Sequence, residues 1–233
     1  MFHELSLFTG YGGFSLGLRL AGLDVRTVGY VEIDKYCQQI IIARIQDGFL
    51  DDAPIWSDIC TFDGSQYSGL VDIITAGFPC QPHSVAGLRK GEDDARNLWP
   101  ETLRVIREVG PRYVLLENVP GILANGYGGT VVGQLSEIGY DCVWGCVPAA
   151  ACGAPHLRWR WWCLAYPHST GLQGIYHEGR RVYLQPVKAI VSKYEWMPTP
   201  RVCGRADGIA HRLERLRALG NGIVPAVVAV FLQ

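Results

Sequence analysis

The stretch LSLFTGYGGFSLGL, residues 5–18, decides the fold of this 233-residue chain. Its apolar start, Leu5–Phe8, is typical of a buried strand, and a turn with three glycines in four residues follows directly. Beyond the turn, apolar side chains recur at helical spacing, at Phe14, Leu18 and Ala21. Glycine permits a tight turn and a close approach of the backbone to a ligand. The stretch therefore predicts a strand, a ligand-binding turn and a helix, although its glycine spacing is not the dinucleotide GxGxxG pattern.

Strand and helix patterns alternate along the first 165 residues. Seven short β-rich runs predict strands: Leu5–Phe8, Val25–Val31, Ile55–Ile59, Val71–Ala76, Tyr113–Glu117, Tyr140–Val147 and Arg160–Tyr166. Four segments predict helices: Phe14–Ala21, Lys35–Arg44, Leu98–Val109 and Val131–Ile138. This alternation predicts an α/β fold with a doubly wound, mostly parallel sheet, which binds ligands at the carboxyl ends of its strands.

The chain beyond residue 166 has a different character. Periodicity fades between residues 167 and 200, which predicts a small irregular insert. Order returns in residues 201–233, where Gly208–Ala218 has helical spacing and IVPAVVAVFLQ, residues 223–233, is apolar enough for a buried closing helix. We therefore predict a main domain over residues 1–166, the insert, and a C-terminal segment that packs back on the main domain.

Composition bounds the class of protein. Hydrophobic residues make up 48% of the chain and no apolar run reaches about 18 residues, so we expect a soluble protein with no membrane contact. The start, MFHELSLF, lacks the pattern of a secretory signal, and eight scattered cysteines favour reduced thiols in the cytoplasm. The irregular spacing of one cysteine cluster with a histidine disfavours a zinc site, so no metal is expected; the residues are Cys142, Cys146, Cys152 and His156.

Charge is distributed unevenly along the chain. Residues 1–120 hold 10 Lys and Arg against 16 Asp and Glu, whereas residues 121–233 hold 11 against 6. An acidic first half followed by a basic second half fits a small-molecule domain followed by a surface for a polyanion.

Acidic residues follow the second and third predicted strands. Glu32 lies about 20 residues beyond the glycine turn, where a carboxylate can accept hydrogen bonds from both hydroxyls of a ribose. Asp58, in the stretch SDIC, is placed to accept from the amino group of an adenine. A glycine turn and two acids at three consecutive strand ends together predict a cofactor that contains adenosine.

The fourth and fifth predicted strands deliver Cys80 and Glu117. Cys80 lies in FPCQPHS, residues 78–84, where two prolines stiffen the turn; it is either a buried thiol or a nucleophile at a pocket. If the two strands are neighbours, Cys80 and Glu117 flank one cavity, and burial would raise the pKa of the carboxyl. Arg158 and Arg160 lie at strand spacing, so we expect both to point to one face and to bind an anionic or carbonyl partner.

Taken in order, these segments resemble the DNA (cytosine-5)-methyltransferase family, and in particular its short phage-type members. The resemblance extends over most of the chain, through LSLFTGYGGFSLGL, VEID, SDIC, GFPCQPHSVAG, RNLWPETLRVIREVGPRYVLLENVPG, GAPHLRWR and RLRALGNGIVP. It implies a Rossmann-like methyltransferase fold with a very small target-recognition insert. It also implies methyl transfer from S-adenosyl-L-methionine to C5 of cytosine in duplex DNA, after the base has flipped out of the helix.

The resemblance assigns roles residue by residue. Cys80 would add to C6 of the cytosine, Glu117 would bind N3 and the exocyclic amine, Arg160 would contact O2, and Arg158 would order the site. The cofactor would be held by residues from several motifs: Phe8, Gly10, Gly12, Glu32, Ile33, Asp58, Leu98 and Asn221. DNA would be contacted by residues beside the nucleophile and in the insert: Pro79, Gln81, Ser84, Arg180 and Arg181.

The sequence departs from the family in three places. His83 replaces a usual aromatic residue, His156 replaces a common glutamine, and only about thirty irregular residues stand where other members have a sizeable recognition domain. Trp159 either stacks on nucleic acid or covers the sheet, and we expect Trp161 and Trp162 to pack in the core.

Several alternatives stay open beside the leading hypothesis. The short insert makes a weak or inactive DNA-binding relative the main alternative. Methylation of an exocyclic amine is disfavoured by FPCQP, and methylation of tRNA by the absence of a Cys-Phe-Thr stretch. We expect a monomer in the cytoplasm of a bacterial or phage-infected cell, working in restriction-modification with a cognate endonuclease, as an orphan enzyme, or in phage self-protection.

Overall fold

The computed structural model describes residues 1–79, 97–124, 126–169, 176–177, 180–181 and 221–232. Within these ranges the principal strands are β1 (Phe2–Leu7), β2 (Val25–Val31), β3 (Ile55–Trp56), β4 (Ile73–Ala76), β5 (Tyr113–Asn118), β6 (Tyr140–Pro148) and β7 (Trp159–Pro167). The α-helices are α1 (Gly13–Leu20), α2 (Lys35–Gln46), α3 (Trp99–Val109), α4 (Tyr127–Glu137) and α5 (Pro225–Phe231). Two further strands, β8 (Tyr176–His177) and β9 (Arg180–Arg181), pair only with each other.

The seven principal strands form one sheet in the order β3-β2-β1-β4-β5-β7-β6. The pairs from β3 to β5 are all parallel, whereas β7 runs antiparallel to both β5 and β6. The order reverses direction between β1 and β4, which is where doubly wound sheets open a crevice for ligands. The predicted α/β fold with a mostly parallel sheet is confirmed.

Helices cover both faces of the sheet. On one face α3 and α4 bury side chains such as Trp99, Ile106 and Val131 against the sheet. On the other face α1 and α5 pack together with Phe14 and Trp162 in a second apolar cluster. The predicted core positions of Trp161 and Trp162 are confirmed, because both side chains are fully buried.

The contact between α1 and α5 depends on a glycine. A β-carbon on Gly17 would lie 2.5 Å from Cβ of Val228 and 2.8 Å from the carbonyl oxygen of Pro225. Such distances are far inside van der Waals contact, so only glycine lets the two helices approach this closely. The C-terminal segment is thereby seated beside the glycine-rich turn that follows β1.

Several element boundaries differ from the sequence prediction, and β1 covers Phe2–Leu7 instead of Leu5–Phe8. The predicted strand Ile55–Ile59 ends at Trp56, because the Asp58 side chain accepts a hydrogen bond from the Cys60 amide and starts a 3-10 turn over Ile59–Thr61. Helix α4 begins at Tyr127, four residues earlier than predicted. The closing helix α5 covers only Pro225–Phe231, and the predicted helix Gly208–Ala218 lies outside the described residues. The division into three segments stays a prediction, since most of the insert also lies outside the described ranges.

Among the described residues, no helix combines the length and the apolar character needed to cross a membrane.

Candidate active site

The carboxyl ends of four parallel strands lie at one edge of the sheet. Leu7 at the end of β1 pairs with Val31 of β2 and with Ala76 of β4, and Ala76 pairs with Leu116 of β5. Ten of the seventeen residues predicted for the site lie at the ends of these four strands or in the segments that directly follow them. The condition set for Cys80 and Glu117, that their strands be neighbours, is met, although Cys80 itself lies outside the described residues.

The turn after β1 has the conformation that its glycines allow. Gly10 and Gly12 have φ values of 59° and 85°, in the left-handed region that favours glycine. Phe8, between the strand and the turn, has φ of 53° although it carries a side chain. The β-carbon that a side chain at Gly10 would add meets no heavy atom within 4 Å, so the turn is open at this point.

Glu32 ties the end of β2 to this turn. Its Oε2 accepts a hydrogen bond of 2.7 Å from the Gly10 amide, and its Oε1 accepts one of 2.8 Å from the Asp34 amide. Burial raises the pKa of the carboxyl, while the two backbone hydrogen bonds act in the opposite direction. Each oxygen keeps a second lone pair, so the carboxyl can accept further bonds from a ligand in the turn.

The other residues predicted to bind the cofactor have diverse surroundings. Ile33 is 67% exposed next to the buried Glu32, and it offers an apolar surface at the crevice. Asp58 is partly exposed, but one of its oxygens is already occupied by the Cys60 amide. Leu98 immediately precedes α3 and packs partly into the core, and Asn221 is exposed four residues before α5.

Glu117 near the end of β5 is a buried carboxyl beside two arginines. The side chain of Arg160 donates from Nε to its Oε1 at 2.9 Å. Burial raises the pKa of Glu117 to about 7, because the loss of solvation outweighs the lowering effects of Arg160 and Arg158. The carboxyl is therefore populated in both protonation states near neutral pH. The sequence prediction that burial would raise this pKa is confirmed.

Asn118 joins the ends of β4 and β5. Its buried Nδ2 donates a hydrogen bond of 2.9 Å to the carbonyl oxygen of Phe78, two residues before Cys80. Its Oδ1 accepts from the Val119 amide at 2.8 Å. Asn118 thus holds the start of the turn that carries Cys80 against the strand that carries Glu117. The sequence analysis did not include Asn118 in the predicted site.

Arg158 and Arg160 approach Glu117 by different routes. Arg160 lies in β7 and also donates to the carbonyl oxygen of Trp159 at 2.8 Å. Arg158 precedes the strand with φ of 36°, and its Nη2 donates to the carbonyl oxygen of Gly222 at 2.5 Å. Strand spacing was therefore the wrong reason to group these arginines, since Arg158 is not in the strand. Both charges nevertheless act on Glu117.

Backbone strain coincides with this edge of the sheet. Within the described ranges, Phe8 and Arg158 are the two residues other than glycine with positive φ. Such conformations cost about 1–3 kcal/mol and persist where surrounding contacts impose them. One lies at the predicted cofactor turn and the other at the arginine pair, which marks both places as candidate functional positions.

A sequence model of the family described as C-5 cytosine-specific DNA methylase matches residues 2–196. The chain belongs to this family. The type II methyltransferase M.CviJI of Paramecium bursaria Chlorella virus IL3A is 33% identical over 230 residues, which cover 96% of this chain and 56% of the viral protein. M.NgoMIV of Neisseria gonorrhoeae, also a type II methyltransferase, is 35% identical over 165 residues, or 67% of this chain and 49% of the relative.

The fold is also similar to that of a solved structure. A putative DNA modification methyltransferase encoded within an Escherichia coli prophage superposes with a TM-score of 0.58 at 28% identity, over 72% of this chain and 47% of the prophage protein. The chain therefore spans about half the length of the relatives that it matches.

Part of the predicted site lies outside the described residues. This applies to Cys80, Gln81, His83 and Ser84, whereas Pro79 is described and half-buried. Arg180 and Arg181 form β9, which pairs with β8, and only their backbone is described. Among the described residues no cluster of three or more His, Cys, Asp or Glu could hold a metal ion.

Tyr11 is a further residue at this edge of the sheet, and the sequence analysis did not include it in the predicted site. It lies inside the glycine turn, and its hydroxyl donates a hydrogen bond to the carbonyl oxygen of Ile223. These partners are 212 positions apart in the chain. No local pattern could have joined them.

Proposed function

We propose that this chain transfers a methyl group from S-adenosyl-L-methionine to C5 of a cytosine in duplex DNA. The observation that carries the proposal is the cluster of Glu117, Arg160 and Arg158. Strand β5, which carries Glu117, pairs with β4, and Cys80 comes four residues after the end of β4 in the sequence. A carboxyl with a pKa of about 7 and two guanidinium groups are the donors that a pyrimidine needs at N3 and O2. Family membership supports the same chemistry.

The turn after β1 fits the proposed cofactor. Glu32 has accepting capacity for ribose hydroxyls, Gly10 borders open space, and the exposed side chain of Ile33 can lie against an adenine. Phe8, Gly12, Asp58, Leu98 and Asn221 complete the proposed set. When bound, S-adenosyl-L-methionine supplies an electrophilic methyl group to the pocket.

The protein must make C5 of cytosine nucleophilic. In the proposed reaction the target base first leaves the duplex, at an unstacking cost of a few kcal/mol. The thiolate of Cys80 then bonds to C6, and the electron pair of the C5–C6 double bond moves into the ring. Protonated Glu117 donates its proton to N3, and Arg160 stabilises the charge that develops on O2. C5 thereby becomes the nucleophile for the methyl group.

Release is an elimination across C5 and C6 that keeps the new methyl group on C5. A base or water removes the proton from C5, the C5–C6 double bond re-forms, and the bond between C6 and the Cys80 sulfur breaks to return the thiolate. Glu117 recovers its proton from N3. The neutral base leaves with one added methyl group, and every residue of the chain regains its starting state.

Labelled cofactor and modified DNA test this function. We expect label to pass from methyl-labelled S-adenosyl-L-methionine to duplex DNA, and bisulfite sequencing to place it at cytosine and report the target sequence. With 5-fluorocytosine in that sequence the fluorine cannot leave as a proton does, so a stable protein–DNA adduct should accumulate. Cofactor binding without transfer and without adduct would instead identify the chain as an inactive DNA-binding relative.

The Glu32→Gln variant is expected to weaken binding of S-adenosyl-L-homocysteine by about 10- to 100-fold. The amide keeps the size of the carboxyl but replaces one acceptor by a donor, so a charge-assisted bond to the ribose is lost. Calorimetric titration measures the change. Glu4→Gln is the matched control, because Glu4 is also a buried carboxyl with two accepted hydrogen bonds, from Thr27 and Thr75. Equal affinity of the two variants would contradict the role of Glu32.

A further inference from the structure

The Tyr11 side chain connects the glycine turn to the C-terminal segment. Its hydroxyl donates to the carbonyl oxygen of Ile223, and its ring lies directly against Gly222, where an added β-carbon would collide with the ring. Gly13 touches the same segment, because a β-carbon there would lie 2.8 Å from the Ile223 carbonyl oxygen. The turn and the segment 222–223 are therefore in close contact at three positions.

Arg158 also binds the segment 222–223. Its guanidinium donates to the carbonyl oxygen of Gly222 at 2.5 Å. Two consecutive carbonyl groups are thus bound by two side chains, one from the turn after β1 and one from the arginine pair beside Glu117. Neither carbonyl belongs to a helix, since α5 begins at Pro225.

The charges around Tyr11 place it close to the same cluster. Burial raises the pKa of the Tyr11 hydroxyl to about 12, with opposing effects from Arg158, which lowers it, and Glu117, which raises it. The hydroxyl is therefore a permanent donor near neutral pH. It is also near enough to both charged groups to be affected by them.

We propose that Tyr11 is a positioning residue, which fixes the Gly222–Ile223 backbone and through it the guanidinium of Arg158 beside Glu117. The proposal rests on the proposed function, because its consequence is a pocket ordered for the target cytosine. Displacement of catalytic groups by about 1 Å can cost on the order of 100-fold in rate, so a single hydroxyl that sets this backbone can affect turnover. The link also joins the cofactor turn to the base pocket by direct contacts.

The Tyr11→Phe variant tests the link, with Tyr140→Phe as the matched control. Tyr140 also donates from a buried hydroxyl to a backbone carbonyl, that of Pro111 at 2.5 Å, and its pKa is likewise raised to about 12. We expect both variants to lower the urea midpoint of unfolding by a similar amount. We expect Tyr11→Phe alone to lower kcat, by about tenfold, while KM for DNA stays within about twofold.

A double-mutant cycle with Arg158→Lys separates positioning from a general loss of structure. If Tyr11 acts through Arg158, adding Tyr11→Phe to the Arg158→Lys variant should lower kcat by less than about twofold. The effect of Tyr140→Phe on kcat should be the same in the wild-type and Arg158→Lys backgrounds. A kcat effect of Tyr11→Phe no larger than that of Tyr140→Phe, or one that multiplies fully with Arg158→Lys, overturns the proposal.

Failure of the proposed function gives a different result. If the wild-type chain binds S-adenosyl-L-homocysteine but transfers no methyl group, methyl transfer itself is excluded. The urea midpoints of the wild-type chain, Tyr11→Phe, Arg158→Lys and the double variant then test the link. If the midpoint shift of the double variant is smaller than the sum of the two single shifts, the link is supported; a shift equal to that sum overturns it.

Discussion

The Glu117→Gln variant is expected to lose methyl transfer by about 10²- to 10⁴-fold in kcat. Glutamine matches the shape of the buried side chain and can still donate a hydrogen bond, but it cannot give a proton to N3 as the ring gains charge. Single-turnover assays with labelled cofactor measure the loss directly. Binding of S-adenosyl-L-homocysteine should be near wild type, because the Glu117 carboxyl is bound by Arg160, whereas the carboxyl that binds the glycine turn is that of Glu32.

The pH dependence of the wild-type enzyme follows from the same carboxyl. Its pKa of about 7 means that the protonated, donating form is depleted as the pH rises through neutrality. We therefore expect kcat to fall as the pH rises through this range. The residual activity of Glu117→Gln should lack this falling limb.

Stability should respond to the same ionisation. The folded-state pKa of Glu117 lies above the ordinary value of 4.5, so the folded state binds this proton more tightly than the unfolded state. The resulting contribution to the free energy of unfolding is present in full below about pH 4.5 and is lost as the pH rises through about 7. The difference corresponds to roughly 3 kcal/mol of unfolding free energy. Urea unfolding at pH 4.5 and pH 8 should show this loss in the wild-type chain relative to Glu117→Gln.

Glu4→Gln provides the control for both measurements. Burial also raises the pKa of Glu4, so this variant changes the pH dependence of stability in the same direction. Glu4 lies in the middle of β1 and accepts hydrogen bonds only from side chains of neighbouring elements. The Glu4→Gln variant should still show the fall of kcat as the pH rises through neutrality. A Glu117→Gln enzyme with wild-type turnover and the same pH profile would exclude the carboxyl as the proton donor.

The Cys80→Ser variant is expected to lose methyl transfer by at least about 10⁴-fold and to form no adduct with 5-fluorocytosine DNA. A serine hydroxyl is almost wholly protonated near neutral pH, so it is a much weaker nucleophile toward C6. The neighbouring backbone should be retained, because Asn118 holds Phe78 through a carbonyl that the substitution does not touch. Adduct formation is measured by denaturing electrophoresis of labelled DNA.

Cys146→Ser is the matched control for the thiol. Cys146 is a partly buried cysteine in β6, outside the proposed site, so the same change of sulfur to oxygen should leave turnover within about twofold. DNA and cofactor affinity should be near wild type in both variants. If the Cys80→Ser variant still forms the adduct, the nucleophile is a residue other than Cys80.

Much of the fold could be predicted because its signals are local. Strand β2 has the predicted bounds, Val25–Val31, and the apolar run of β5 marks a strand buried on both faces. The prediction was wrong at Ile55–Ile59, where the strand ends at Trp56 and the Asp58 side chain accepts a hydrogen bond from the Cys60 amide. The β-propensity of a stretch does not include hydrogen bonds between its side chains and its backbone, so it could not predict where this strand ends.

The sequence by itself determined which residues could do chemistry at the strand ends. The glycine turn, Glu32 and Glu117 each follow a buried strand, and parallel strands bring their carboxyl ends to one edge by geometry alone. The tertiary structure decided how these residues are connected. The antiparallel entry of β7 brings Arg160 to Glu117, and the packing of α5 on α1 brings Gly222 and Ile223 between Tyr11 and Arg158. These contacts join residues far apart in the chain, so no local pattern encodes them.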